Sequence, residues 1–263
     1  SSSISIDKNV EALHGGVGIQ VLNDIQGEGA LTNTQVSAMY SYQLQASRKL
    51  TVLTGVQATY QQRALDKTKL HFGDEIDPNY GFVFPTQENV GQFADNVSYA
   101  DISIGMMAFT KKYFAGFAMH HITQPDDAFI TTSYLPRKLT VHAGANFAVG
   151  RGKKMGLVMD GPFITPNVLY MTQNGAEQLN VGMSLTNDSF SGGLYFRNNF
   201  SNADAVLIVL GYEANGMRLG YSYDYTVSEL AGASGGAHEV SLTVQLACRD
   251  KRKKLKAIKC PKF

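Results

Sequence analysis

Apolar and polar residues alternate along most of this chain, with a period of two. From Gln35 to Ala46, Val36, Ala38, Tyr40, Tyr42, Leu44 and Ala46 fall on one side. Gln35, Ser37, Ser41, Gln43 and Gln45 fall on the other. Successive side chains of a strand point to opposite faces, so this pattern predicts a strand with one apolar and one polar face. Leu50 to Gln62 repeats it, with Val52, Val56, Ala58 and Tyr60 against Thr51, Gln57, Thr59 and Gln61. So do Ala100 to Met106 and Leu139 to Phe147. Ser2 to Asp7 and Val17 to Val21 alternate more weakly. Met155 to Tyr170 reads as a bent or interrupted strand, because Pro162 and Pro166 each lack a ladder N–H. Leu179 to Leu185, Ser191 to Phe200 and Val206 to Tyr212 lead into a last hairpin, Arg218 to Val227 and His238 to Leu246. The pattern predicts about thirteen strands and no helix.

The connections between these strands divide into tight and long. Residues 46–49, 110–112, 151–154, 186–188 and 213–216 read as tight turns. Residues 26–31, 66–96, 124–137, 174–177, 201–204 and 231–237 read as the longer loops between them. In an up-and-down meander alternate connections share an end. Short turns at one end and longer loops at the other are the layout of an outer-membrane barrel. Tyr60, Tyr99, Phe109, Tyr113, Tyr221 and Tyr225 fall near strand ends, where aromatic girdles form. The competing soluble β-sandwich or lipocalin-like barrel would place the polar faces outward, and its strands usually run to only ~5–6 residues. The resulting expectation is an all-β, transmembrane, up-and-down antiparallel β-barrel. Residues 1–247 are the barrel and residues 248–263 a basic C-terminal tail.

Composition bears on this in two ways. Charged residues make up 17% of the chain, below the roughly 25% of ordinary soluble domains. The formal net charge of +1 gives no reason to expect a nucleic-acid partner. No apolar run approaches the ~18 residues of a transmembrane helix, which leaves strands as the means of crossing a bilayer. An odd strand count does not close an antiparallel barrel, so one strand is expected upstream of Ser1.

The chemistry-bearing residues are few. His120 and His121 adjoin, so on a regular strand they would point opposite ways and share no metal. No Cys or His pair has zinc-site spacing. Asp74, Glu75, Asp77, Asp126 and Asp127 lie in loops, where calcium binding competes with simple solvation. Ser241, His238 and Asp224 share the last hairpin without forming a readable triad. The polar faces carry Asp101, Arg197, Arg218, Asp224 and Glu239, a candidate lumen network that either pairs internally or lines a channel. The tail holds Cys248 and Cys260, a candidate disulfide in an oxidising periplasm. Arg252, Lys253 and Lys254, with Lys111, Lys112, Lys153 and Lys154 in the turns, make one end basic. That end is either simply solvated or a candidate docking surface for an acidic periplasmic partner or anionic head groups. No cofactor is expected.

Several segments together resemble one family. They are Gly15 to Asp24, Tyr40 to Leu44, Leu70 to Asp74, Leu135 to Lys138, Gly220 to Asp224, His238 to Ser241 and the terminal Cys260 to Phe263. In this order they resemble the PorP/SprF family of the type IX secretion system of Bacteroidota, over essentially the whole chain. The chain departs from the family pattern in two places. The family's Asn-Pro-rich opening and one further strand, of about fourteen, are not found from Ser1 onward, and Ala237 stands where Ser is commoner. The resemblance implies an outer-membrane barrel without catalysis, its C-terminus periplasmic. It implies as partners the lipid bilayer, secretion components of the periplasm and outer membrane, and a secreted adhesin-like cargo with its C-terminal domain. The barrel would help export that cargo or anchor it at the cell surface. A diffusion channel and, more remotely, an outer-membrane hydrolase are the alternatives.

Overall fold

The computed structural model describes residues 1–149, 154–155, 158–159, 161–200, 203–227 and 235–246. The first strands are β1 (Ser2–Val10), β2 (Gly15–Gln26), β3 (Leu31–Gln45) and β4 (Thr51–Leu65). β5 (Ile76–Asp77) and β6 (Gly81–Phe82) form a small hairpin of their own. β7 (Asn96–Phe109), β8 (Tyr113–His120), β9 (Lys138–Ala145) and β10 (Phe147–Ala148) follow. β11 (Lys154–Met155) and β12 (Val158–Met159) make a second small hairpin. The chain continues as β13 (Phe163–Gln173), β14 (Ala176–Asn187), β15 (Phe190–Asn198), β16 (Ala203–Ala214), β17 (Met217–Thr226) and β18 (Ala237–Val244).

The long strands form one antiparallel sheet in chain order, β1-β2-β3-β4-β7-β8-β9-β13-β14-β15-β16-β17-β18, with β10 pairing β13 beside that path. The expected all-β meander is therefore present, and the described residues contain no α-helix. The chain divides into two compact units. The first is Ser1–Leu44, Leu53–Gly105 and Met119–Lys138; the second is Gln45–Val52, Met106–Ala118 and Leu139–Phe263.

In the first unit the buried face is polar. Ser37 is fully buried, and its Oγ lies 2.9 Å from Thr59 Oγ1. Gln57 Nε2 donates to both hydroxyls at 3.1 Å, and Gln35 Nε2 donates to Ser37 at 3.0 Å. Gln61 Nε2 donates to Asn33 Oδ1 at 2.9 Å. These groups satisfy one another, as buried polar atoms must. The opposite face is apolar and open: Ile19, Val36, Val56, Tyr60, Ile102 and Ile104 are all exposed.

The second unit shows the same inversion. Thr165 and Ala205 are buried, whereas Met183, Leu185, Leu194, Leu210, Leu219 and Leu242 are exposed. Aromatic rings on its less exposed face lie over glycines. A Cβ at Gly144 would strike the Phe114 ring, and one at Gly182 would strike the Leu194 carbonyl and the Tyr195 ring. Gly182 and Tyr195 are direct cross-strand partners, so the missing side chain makes room for the ring.

Four expectations need correction. Tyr99 and Phe109 are buried, not part of an exposed girdle. Their odd numbers put them on the face of Asp101 and Ser103, so strand parity outweighs nearness to a strand end. Residues 174–177 are not a long loop. Asn174 and Gly175 have φ of 49° and 79° and close a two-residue hairpin turn between β13 and β14. Asn-Gly suits that turn because both central residues need positive φ. Of residues 151–154, expected as a tight turn, Lys154 alone is among the described residues, and it begins β11, which pairs with β12 ahead of β13. Finally, the expected interruption is met at Pro162 but not at Pro166: β12 ends at Met159, and β13 begins at Phe163 and runs unbroken through Pro166, paired with Met183 of β14. A further break falls at Asn146, between β9 and β10, where Thr165 Oγ1 donates to Asn146 Oδ1 at 2.8 Å.

Candidate functional site

The most elaborate structure outside the strands is built from two connections of the first unit, residues 66–95 and 121–137. The first leaves β4 at Leu65. Leu65 N donates to Asp95 O at 2.9 Å, closing the loop at its base, and Asp66 N donates to Ala30 O at 2.8 Å. Asp66 caps the next turn, accepting from Thr68 N at 3.1 Å and Thr68 Oγ1 at 2.6 Å. These hydrogen bonds, the hydroxyl's first, hold the Asp66 carboxyl below its ordinary value of 3.8. Lys67 Nζ reaches Asp95 at 2.8 Å. Farther out, Asp74 accepts from Thr86 Oγ1 and from Gln87 N, and Asp77 accepts from Asn79 N and Tyr80 N. The loop acids are thus consumed as turn caps, which is why acidic residues recur along this segment.

The second connection starts with a change of direction at His121, whose φ is 57°. That left-handed residue ends the alternation, so the two histidines do not diverge as on a regular strand. Their ring centroids are 6.3 Å apart. His120 Nδ1 lies 3.2 Å from Ser103 Oγ, and His121 Nδ1 lies 2.8 Å from Asp101 Oδ2. Thr123 Oγ1 donates to Asp101 Oδ1 at 2.7 Å. Asp101 is only 5% exposed, so these two bonds stand in for its lost water. Among the described residues no three potential metal ligands cluster.

The two connections are fastened to each other. Ala94 N donates to Phe129 O at 2.7 Å. Arg63, near the end of β4, donates through Nη1 to Asp127 O at 2.7 Å and Asp127 Oδ2 at 2.8 Å. Its guanidinium also sits 5.1 Å from the centre of the Phe129 ring. Asp126 Oδ1 accepts from Ala128 N and Ser133 N, folding the tip back on itself. Together they enclose an open groove of about 470 Å³, lined by Leu65, Leu70, Phe72, Phe93, Phe129 and Ile130, with Ala128, Thr131 and Ser133.

The candidate lumen residues do not form one network. Arg197 Nη2 lies 2.6 Å from Asp224 Oδ2, and its Nη1 lies 3.6 Å from Asp204. A register shift at Arg197/Asn198 pairs Arg197 with Ala205 and Asn198 with Ala203, leaving Asp204 as the extra residue between them. Arg218 pairs instead with Glu213, its direct cross-strand neighbour, at 2.9 Å. Asp101 belongs to the histidine cluster described above. Glu239 lies exposed opposite Ser222, and no ion pair reaches it among the described residues. Ser241, His238 and Asp224 are not brought together: Asp224 holds Arg197, and His238 Nδ1 meets Tyr221 Oη at 2.9 Å.

Of the basic candidates, Lys111 is exposed in the β7–β8 turn. Lys112 Nζ lies 5.1 Å and 4.8 Å from the Tyr113 and Phe147 ring centres. Lys153, Arg252, Lys253, Lys254, Cys248 and Cys260 lie outside the described residues, as does the Lys154 side chain. Sequence reasoning missed Arg63, Thr123 and Phe129. Arg63 had a signal, since it ends the polar series Gln57, Thr59, Gln61 as a charge in want of a partner.

Residues 1–244 match the family described as type IX secretion system membrane protein PorP/SprF. The chain belongs to the PorP/SprF family. No individual curated protein matches it. Family membership makes the chain a membrane component of type IX secretion, which accounts for the inverted burial. An apolar face left open over long strands is what lipid requires, and polar groups then satisfy one another on the other side. A PorP/SprF protein is thus an all-β chain whose fold class is that of transmembrane barrels.

Proposed function

We propose that this chain is a non-enzymatic outer-membrane barrel that helps export a secreted cargo protein or anchors it at the cell surface. The observation that carries this reading is the joined pair of loops. Arg63, Asp127, Phe129 and Ala94 make them one built surface, whereas loops that only connect strands have no need of such fastening. The long-loop end would face the exterior and hold the cargo. The opposite end, with Lys111, Lys112, Lys153, Lys154 and the tail, would face the periplasm and its secretion components. Deleting residues 121–137 tests this in cells: surface adhesin should be released into the medium. Undiminished retention would count against the reading.

The diffusion-channel alternative predicts conductance in planar bilayers. The packing of Phe114 over Gly144 and Tyr195 over Gly182, with the Arg197–Asp224 pair, favours a filled interior and no conductance.

A further inference from the structure

We propose that the groove lined by Leu65, Leu70, Phe72, Phe93, Phe129 and Ile130 seats an extended apolar segment of the partner polypeptide flanked by Lys or Arg. This rests on the reading of the joined loops as the cargo-holding end. Its volume of about 470 Å³ lies within the ~300–1,000 Å³ of ligand sites. Its lining is almost wholly apolar, yet Ile130 remains half exposed, so the fold itself does not cover it. The apolar surface continues onto the β5–β6 hairpin. His71, beside Phe72, has its ring centroid 4.8 Å from that of Phe82, and Ile76, Tyr80, Val83 and Phe84 are exposed there. An elongated partner segment fits that surface better than a compact small molecule.

Charge selects the partner. Arg63 and the two segments that line the groove carry Asp66, Asp74, Glu75, Asp77, Glu88, Asp95, Asp126 and Asp127 against four cations, Arg63, Lys67, Lys69 and Arg137. Hydrogen bonds to backbone N–H groups hold several of these carboxylates in place. An ionised carboxylate offers about four acceptor sites, so each still attracts a cation. A net negative rim repels anionic lipid head groups and draws a basic-flanked peptide.

The test uses the full chain in detergent micelles and fluorescent synthetic peptides. One peptide has a Leu-Phe-Val centre with paired lysines at each end; its twin carries glutamates instead. The lysine peptide should bind at least ~10-fold tighter than the glutamate peptide and weaken as salt is raised. Ile130→Ser should weaken it by roughly 5-fold, since an exposed groove side chain is lost. Asp95→Asn should reduce the lysine preference by about 2-fold. Both residues are exposed, and heat-modifiable gel mobility reports whether each variant folds. Equal binding of the two peptides, no binding, or insensitivity to Ile130→Ser would overturn the proposal. If peptide binding fails while loop deletion still releases cargo, the groove assignment falls and the cargo-holding reading stands. Peptide binding with undiminished cargo retention would do the reverse.

Discussion

In the first unit, buried charge is turned toward the loops. Asp101 holds His121 and Thr123 where β8 gives way to residues 121–137, and Arg63 holds Asp127 at the tip of the same connection. In the second unit, charge stays among the strands. Arg197 of β15 reaches Asp224 of β17 over the small, buried Ala205 of β16, and Arg218 meets Glu213 across one rung. The connections differ in step. The second unit has two-residue Asn-Gly turns at 174–175 and 215–216, which need no external support. A long connection pays a larger closure entropy and must be fastened to be a surface at all. The contrast teaches that one inverted sheet can spend its interior charge on display at one place and on cross-linking at another.

Removal of the first unit's anchor should have the largest effect. Asp101→Leu strands His121 and Thr123 and should cost about 3–5 kcal/mol. Urea unfolding in micelles measures it, and limited proteolysis should show cleavage within 121–137. If cleavage stays unchanged, Asp101 does not organise the loop. Next comes the outward face common to both units. Leu194 is 59% exposed and pairs with Met183 and Ile208 in mid-strand. Leu194→Arg should cost about 2–4 kcal/mol in bilayers, while an aqueous surface site would tolerate it within about 0.5 kcal/mol. A negligible change in vesicle-refolded protein would remove lipid from that face.

Within the second unit, Gly182→Val sets a side chain against the Leu194 carbonyl and the Tyr195 ring, and overpacking should cost about 1–3 kcal/mol. Its loops should remain as protease-resistant as in the parent, which separates it from Asp101→Leu. Arg197→Met should cost about 1–2 kcal/mol by leaving Asp224 without its partner, and Asp224→Leu on the same background should restore part of the loss. Additive losses in that double-mutant cycle would mean the ion pair is not coupled.

The smallest effect is one of pH. The folded Asp66 carboxyl lies below its ordinary value of 3.8. Its cap on Thr68 is therefore fully present above that value and lost as pH falls through the lower, folded one. The protection of the Thr68 amide against hydrogen exchange, taken relative to the intrinsic rate at each pH, should hold at neutral pH and fall only in the acid range below 3.8. A loss of that protection near neutrality would disconnect the cap from Asp66.

Strand existence, strand parity and the count along the sheet were readable from alternation, because a period of two is a local property of the chain. Parity even carried information first read otherwise, as Tyr99 and Phe109 show by following Asp101 inward. The inverted face was readable too, once strand length and the scarcity of charge argued against a soluble sheet. Partners were not. Nothing local joins Arg63 to Asp127 or Phe72 to Phe129, because those pairs depend on how two long connections fold back over the same strand ends. The bend at His121 was equally hidden, since a non-glycine residue takes positive φ only where its surroundings reward it, here through the carboxylate of Asp101. Short-range periodicity therefore settles which face a residue occupies, and long-range closure settles what it meets there.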